Sequence, residues 1–209
     1  MAQSLCSKNV QDHKKRSRGF TIIEVLVASI ILIVGLVAAG GVVGSTLGST
    51  TRSGYMNQAA ILATEKLEDL NRYPSADPNV AVPTGSSMGS LGSDILQDVT
   101  ANGVTEAVNY YDEVYFSPSQ GAIAETTSSL DINGNPQYTT TTYTPDGLIS
   151  SSAPSSTPPS SAGSIAFERR WIIEINQPVA GVRRVTVLVT LLNQSVHPPV
   201  TFQMSMVRP

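Results

Sequence analysis

Residues 19–43 read GFTIIEVLVASIILIVGLVAAGGVV, and the fold is decided there. From Phe20 onward the run is about as long as a bilayer's hydrocarbon core requires of a helix, roughly 20 apolar residues, and its one charge is Glu24. An ionised carboxylate in lipid costs roughly 2.5 kcal/mol or more, so an acid at this depth is a functional residue whose partner has to be found. Just upstream lies a basic cluster, Lys14, Lys15, Arg16 and Arg18, followed by Gly19. Cleavage after that glycine would create a new α-amine on Phe20, four residues from Glu24 and on the same helical face. A cationic terminus so placed would neutralise the carboxylate, in its own chain or in a neighbour packed one step along an assembly.

KKRSRG followed by FTIIEVLVASI closely resembles the class III leader and N-terminal helix of type IV prepilins. The resemblance implies that a membrane prepilin peptidase cuts between Gly19 and Phe20, that Phe20 is then N-methylated, and that Glu24 docks the subunit against a neighbour. Two plainer readings compete with it. A secretory signal also has a basic region and an apolar core, with Val37-Ala38-Ala39 as a small-residue cleavage site, and a single-pass anchor can carry a stray glutamate. An acid at the fifth position of the core, and a core nearly twice the usual length, argue against the secretory signal.

The composition agrees with export. Of 209 residues 41% are hydrophobic, as in ordinary folded proteins, but only 14% are charged and Ser, Thr and Gly are abundant. The formal net charge is −3, yet residues 1–19 hold five Lys/Arg against one Asp, so the rest of the chain carries about −7. That balance gives no overall attraction to nucleic acid or anionic lipid. The one cysteine, Cys6, falls in the leader, so the expected mature chain has no disulfide and no Cys-based metal site, and must bury a real core. The basic leader keeps the N-terminus cytoplasmic by the positive-inside tendency and sends the chain beyond residue 43 across the membrane.

The helix is expected to continue beyond lipid. No proline occurs between Phe20 and Tyr73, and residues 55–73, YMNQAAILATEKLEDLNRY, read as an amphipathic helix. Ala60, Ala63, Leu67 and Leu70 form one face, Glu68 and Arg72 make an i,i+4 pair on another, and Pro74 stops the helix. Its length would be about 80 Å at roughly 1.5 Å per residue. NQAAILATEKLEDL resembles the second half of this helix in the minor pilins called PilV and in the I-type minor pseudopilins of type II secretion. Gly40, Gly44 and Gly48 lie on one face, as a close helix contact or as a flexible joint. The lack of a proline in this region favours a minor pilin or pseudopilin over a bulk filament subunit, by the same resemblance.

Residues 74–109 read as a variable connection with a short helical segment at 93–99, and residues 110–116 and 138–144 as strands around an Asn133-Gly134-Asn135-Pro136 turn. Asp131, Asn133 and Asn135 alternate as calcium ligands do, but without the glycine and terminal acid of such a loop, so a plain turn is expected and no metal is assigned. Residues 149–164, ISSSAPSSTPPSSAGS, are too poor in apolar side chains to pack and read as a mobile surface loop, with glycosylation as the alternative.

The last 45 residues are the best patterned. Phe167, Arg169, Trp171, Ile173 and Ile175 share a face; Val185, Val187, Val189 and Leu191 share another; residues 176–181 join the two strands as a hairpin. A final strand over 200–207 places Val200, Phe202, Met204 and Met206 together. Three antiparallel strands therefore cover the Ala60, Ala63, Leu67, Leu70 stripe. This segment weakly resembles the sheet of PilV-type proteins. Arg169, Arg170, Arg183 and Arg184 are expected near the hairpin, paired with acids such as Glu168 and Glu174 or at a subunit contact, rather than binding DNA. With His197 as the one histidine after the leader, and no cysteine there, no triad, phosphate loop or metal cluster can be assembled, and a non-enzyme without a cofactor is expected.

The expected architecture is α+β, pilin-like: a leader (1–19), a membrane or filament-core half-helix (20–43), an amphipathic half-helix (44–73), and a head of loops and antiparallel sheet (74–209). The resemblance implies prepilin peptidase, other pilin subunits, the inner membrane and a pilus or secretion assembly machine as partners. It leaves three functions open: a minor pilin, a minor pseudopilin of type II secretion, and a binding module at a filament tip.

Overall fold

The computed structural model describes residues 19–118, 121–159, 164–192 and 198–209. The basic cluster from Lys14 to Arg18, Cys6 and His197 lie outside the described residues. Two units divide the chain, residues 1–48 and 49–209, and the helix α1 (Ile22–Arg72) supplies residues to both. The fold is α+β: this one long N-terminal helix, then an antiparallel sheet.

The start of α1 is written in Thr21-Ile22-Ile23-Glu24. The Glu24 amide donates to Thr21 Oγ1 at 3.3 Å, and the Glu24 and Val25 amides reach the Thr21 carbonyl at 3.1 and 3.2 Å. This is a helix cap in a T-x-x-E setting, with an acid in the first turn where the helix dipole favours it. From there to Thr51 every residue is exposed in the isolated chain, including Ile22 at 87%, Ile31 at 66% and Val37 at 72%. Three of its hydroxyls are satisfied internally: Ser29 donates to the Val25 carbonyl at 2.5 Å, and Ser45 and Thr46 both donate to that of Val42 at 2.9 Å. These three side chains thus suit an apolar surrounding. The helix runs unbroken through Gly40, Gly44 and Gly48, and a Cβ at any of them would meet nothing in this chain.

In the second unit α1 becomes one-sided. Its buried residues are Ala59, Leu62, Ala63, Lys66, Leu67 and Leu70, so the inward stripe is rotated from the expected one: Ala60 is half-buried and a lysine lies inside. No ion pair joins Glu68 to Arg72 among the described residues; the carbonyls of Leu70 and Tyr73 instead accept from Arg208 at 3.0 and 2.7 Å, closing the helix's C-terminal end.

The strands are β1 (Ser87–Gly89), β2 (Leu96–Ala101), β3 (Val104–Asn109), β4 (Tyr111–Ser117), β5 (Ala122–Leu130), β6 (Pro136–Tyr143), β7 (Ile149–Ser151), β8 (Ile165–Ile175), β9 (Arg183–Leu191) and β10 (Thr201–Arg208). Seven run in the order β10-β9-β8-β4-β5-β6-β7, β1 extends the sheet beside β8, and β2 and β3 form a separate hairpin. The C-terminal reading holds in register: Phe167, Arg169, Trp171 and Ile173 face Leu191, Val189, Val187 and Val185 across β8 and β9, and all eight are buried. Those apolar residues share one core with the α1 stripe. On β10, Phe202 and Met206 pack against this core and Met204 remains 40% exposed, as suits an edge strand.

Other expectations are corrected. The sheet has eight strands: the three C-terminal ones expected, the two expected upstream as β4 and β6, and three more, β1, β5 and β7. Residues 93–99 are not helical: they lead into the β2–β3 hairpin, whose Asn102-Gly103 turn has φ of +52° and +79°, the left-handed pair that a two-residue hairpin turn requires. Strand β5, AIAETTSSL, lies between the two expected strands and has no apolar alternation to announce it. Cross-strand hydroxyl contacts join this polar part of the sheet, Thr126 to Thr140 at 2.9 Å, Tyr111 to Ser128 at 2.5 Å and Thr141 to Ser151 at 3.0 Å. The Ser/Pro tract begins not as a loop but as β7, and Ser155 bridges back to Tyr138.

Strands β1 and β4 lie end to end along β8. Gly89, at φ +82°, closes the junction; a Cβ there would lie 2.4 Å from the Trp171 carbonyl oxygen and 2.6 Å from the Tyr110 ring, so only glycine fits.

Candidate functional site

The N-terminal site is small and open. Gly19 and Phe20 are exposed, non-helical residues immediately before the Thr21 cap, and the Phe20 side chain is 81% exposed. Glu24 stands in the first turn, exposed, and no ion pair holds its carboxylate among the described residues. Thr21 is the residue at this site that charge and spacing alone do not flag, although T-x-x-E is a legible capping signature.

In the second unit the main polar feature is a charge cluster between α1 and the sheet. Lys66 Nζ lies 2.9 Å from Asp112 Oδ2, and Arg169 grips the same carboxylate through Nε at 2.6 Å to Oδ1 and Nη2 at 2.8 Å to Oδ2. Arg169 also pairs with Glu125 and lies 3.9 Å from Glu65. The Lys66 ammonium stands 4.2 Å from the centre of the Trp171 ring, a cation–π contact. Asp112 is 1% exposed and Arg169 2%, so three elements meet on buried charge. Burial opposes the Asp112 charge, but Lys66 and Arg169 outweigh it and hold the carboxyl below its ordinary range. Burial likewise opposes the Arg169 charge, and Asp112 reverses the effect and raises its pKa. Glu125 is pushed up, by burial first.

The four arginines do not gather into one patch. Strand alternation sends Arg169 inward and Arg170 outward. Arg170 pairs with Asp94 and Glu168, Arg184 with Glu174, and Arg183 donates to the carbonyls of Ser75 and Val80. Glu168 and Glu174 thus take the partner role expected of them, but the residue that takes Arg169 is Asp112. The cluster leaves a trace in the sequence: a lysine inside an apolar helical stripe, and an arginine on the inward face of an apolar strand.

Asp131 serves its own turn. Its carboxylate accepts from the amides of Asn133 and Asn135, both at 2.8 Å, and the hydrogen bonds from Asn135 lead in lowering its pKa. Beside the charge cluster runs a hollow of about 340 Å³ lined by Glu65, Glu68, Asp69, Arg72 and Tyr143 among others. An apolar one of about 150 Å³ lies between Ile61, Val114, Phe116, Ile123 and Phe167.

The family model described as the prokaryotic N-terminal methylation motif matches residues 14–40, which takes in the basic cluster, Gly19, Phe20, Glu24 and the exposed apolar helix, and none of the head. No curated protein and no solved structure matches the chain. The motif, a type IV prepilin leader, implies processing by prepilin peptidase and an assembly machinery, and with a helix long and apolar enough to cross a bilayer it fits a single-pass anchor. It marks the chain as a pilin-like or pseudopilin-like protein.

Proposed function

We propose that this protein is a minor type IV pilin of the PilV kind, a structural rather than catalytic subunit. The observation that carries the reading is the methylation motif placed directly on a helix whose first thirty residues find no cover in their own chain. Prepilin peptidase cuts between Gly19 and Phe20, an exposed, non-helical bond beside a basic leader. Phe20 is methylated, and its cationic amine and the Glu24 carboxylate pair, in one chain or between neighbours. The precursor spans the inner membrane once, with its N-terminus cytoplasmic and its head periplasmic. On assembly, lipid around α1 is exchanged for neighbouring apolar helices, so little hydrophobic energy is lost and the buried charge pair penalises wrong register. No nucleic-acid partner is assigned.

Gly19→Ala tests the cleavage: an uncleaved precursor running larger on a gel is expected, and normal processing overturns it. A strain lacking the gene tests the machine. Loss of sheared surface pili with normal enzyme secretion supports the pilin, whereas normal pili with enzymes trapped in the periplasm give the type II secretion pseudopilin, a reading that the same motif supports equally.

A further inference from the structure

A second set of charges lies on the sheet face away from the Lys66 cluster, at the seam of β4 and β8. Glu113 and Glu168 are directly opposed in register, an arrangement in which like charges repel. Asp94, from the connection before β2, reaches the same place. Arg170 donates from Nε to Asp94 Oδ1 at 2.8 Å and from Nη2 to Glu168 Oε1 at 2.9 Å, so the two carboxyls meet on one guanidinium. Carboxylates accept only, so two carboxyls brought to one guanidinium can bond to each other only by sharing a proton. Glu168 is buried, at 7% exposure; the Tyr115 hydroxyl donates to Glu113, and the β9 residue opposite Glu168, Thr190, is uncharged. Three acids therefore meet one arginine, and a single guanidinium cannot balance all three.

We propose that the Asp94–Glu168 pair is a proton-controlled fastening: protonated, it holds residues 90–95 and the adjoining β2–β3 hairpin onto the sheet, and deprotonated it lets them loosen. The backbone continues the same attachment, since the Tyr110 amide donates to the Ile95 carbonyl at 2.8 Å. Burial, and then the Asp94 charge, move Glu168 up from about 4.5 to about 7. With the folded value above the unfolded one, the folded chain binds the extra proton between those limits, and its stability falls as pH rises toward 7. Glu125, raised in the same direction on the other face, adds a drop of the same sign and serves as the control.

The test uses the full chain in detergent micelles, with carboxyl carbons followed by NMR and unfolding by the fluorescence of Trp171, the one tryptophan. A glutamate carboxyl with a midpoint near 7 that moves down in Asp94→Asn is expected; all glutamates titrating below 6 overturns the proposal. The melting temperature should fall by roughly 5 °C between pH 5.5 and 8. Glu168→Gln should abolish the part centred near 7, while Glu125→Gln keeps it; an unchanged profile in Glu168→Gln overturns the proposal. If that variant does not fold, amide exchange in β2 of the native chain decides. Faster exchange at pH 8 than at pH 6, after correction for intrinsic rate, supports the fastening, and equal protection overturns it.

Discussion

Helix α1 carries two charges in apolar company, and the two halves of the molecule treat them oppositely. Glu24, in the first unit, has a capped backbone and an exposed carboxylate with no ion pair among the described residues. Lys66, in the second, is buried against Asp112 and Trp171. A charge on a helix face that a sheet covers must find its counter-ion within the fold, because leaving it alone in a low-dielectric core costs several kcal/mol. A charge on an exposed face meets no such demand within its own chain. The same contrast holds for the apolar residues: from residue 59 on they sort into a buried stripe and an exposed face, while before residue 52 they are exposed all round. Such a surface belongs in lipid or among other helices.

The comparison breaks most sharply at Asp112. Asp112→Ala leaves Lys66 and Arg169 buried without their shared counter-ion and should destabilise the head by about 3–5 kcal/mol, read as a lower urea midpoint of Trp171 fluorescence. A loss under 1 kcal/mol would mean that the cluster is solvated and the contrast with Glu24 is false. Gly89→Ala tests the sheet junction without touching charge. A left-handed residue whose Cβ meets a backbone oxygen should cost about 2–3 kcal/mol in the same assay, and a neutral result would mean that β1 shifts freely off β8.

Arg208→Ala removes two charge-assisted hydrogen bonds from the helix end, and about 1–2 kcal/mol should be lost. An unaltered midpoint would show that water replaces the arginine there. Glu24→Ala closes the series with the smallest effect on the head, within about 0.5 kcal/mol, and processing largely intact. Its consequence should appear between chains, as reduced incorporation into the assembly. Undiminished incorporation would remove Glu24's assembly role and reduce it to a helix-start residue. Since Thr21 caps the same turn, Thr21→Ala is the control: it weakens the helix start by about 1 kcal/mol and keeps the carboxylate.

Much is legible without any coordinates. The apolar run with its single acid, the basic residues and glycine before it, the absence of proline up to Pro74, and the alternation of β8 and β9 are local patterns. Each comes from a period, a charge or a missing N–H within a few residues. Of the polar strands, β6 is legible from its β-prone YTTTTY run, but β5 is not, because it is held by threonine and serine pairs between strands, and no single strand shows that its hydroxyls have partners. The Asn102-Gly103 turn carries a legible signal, yet the strands on either side are too polar to draw attention to it.

The sequence by itself therefore determined where the chain is apolar, where its helix starts and stops, and which motif it offers to a peptidase, since these depend on neighbours in the chain. Only the tertiary structure decided that Lys66, Asp112, Glu125 and Arg169 form one cluster and that Asp94 and Glu168 share another. Charges far apart in sequence become one electrostatic unit only when strand order and helix rotation bring them within a few ångströms, where a low dielectric makes their pairing obligatory.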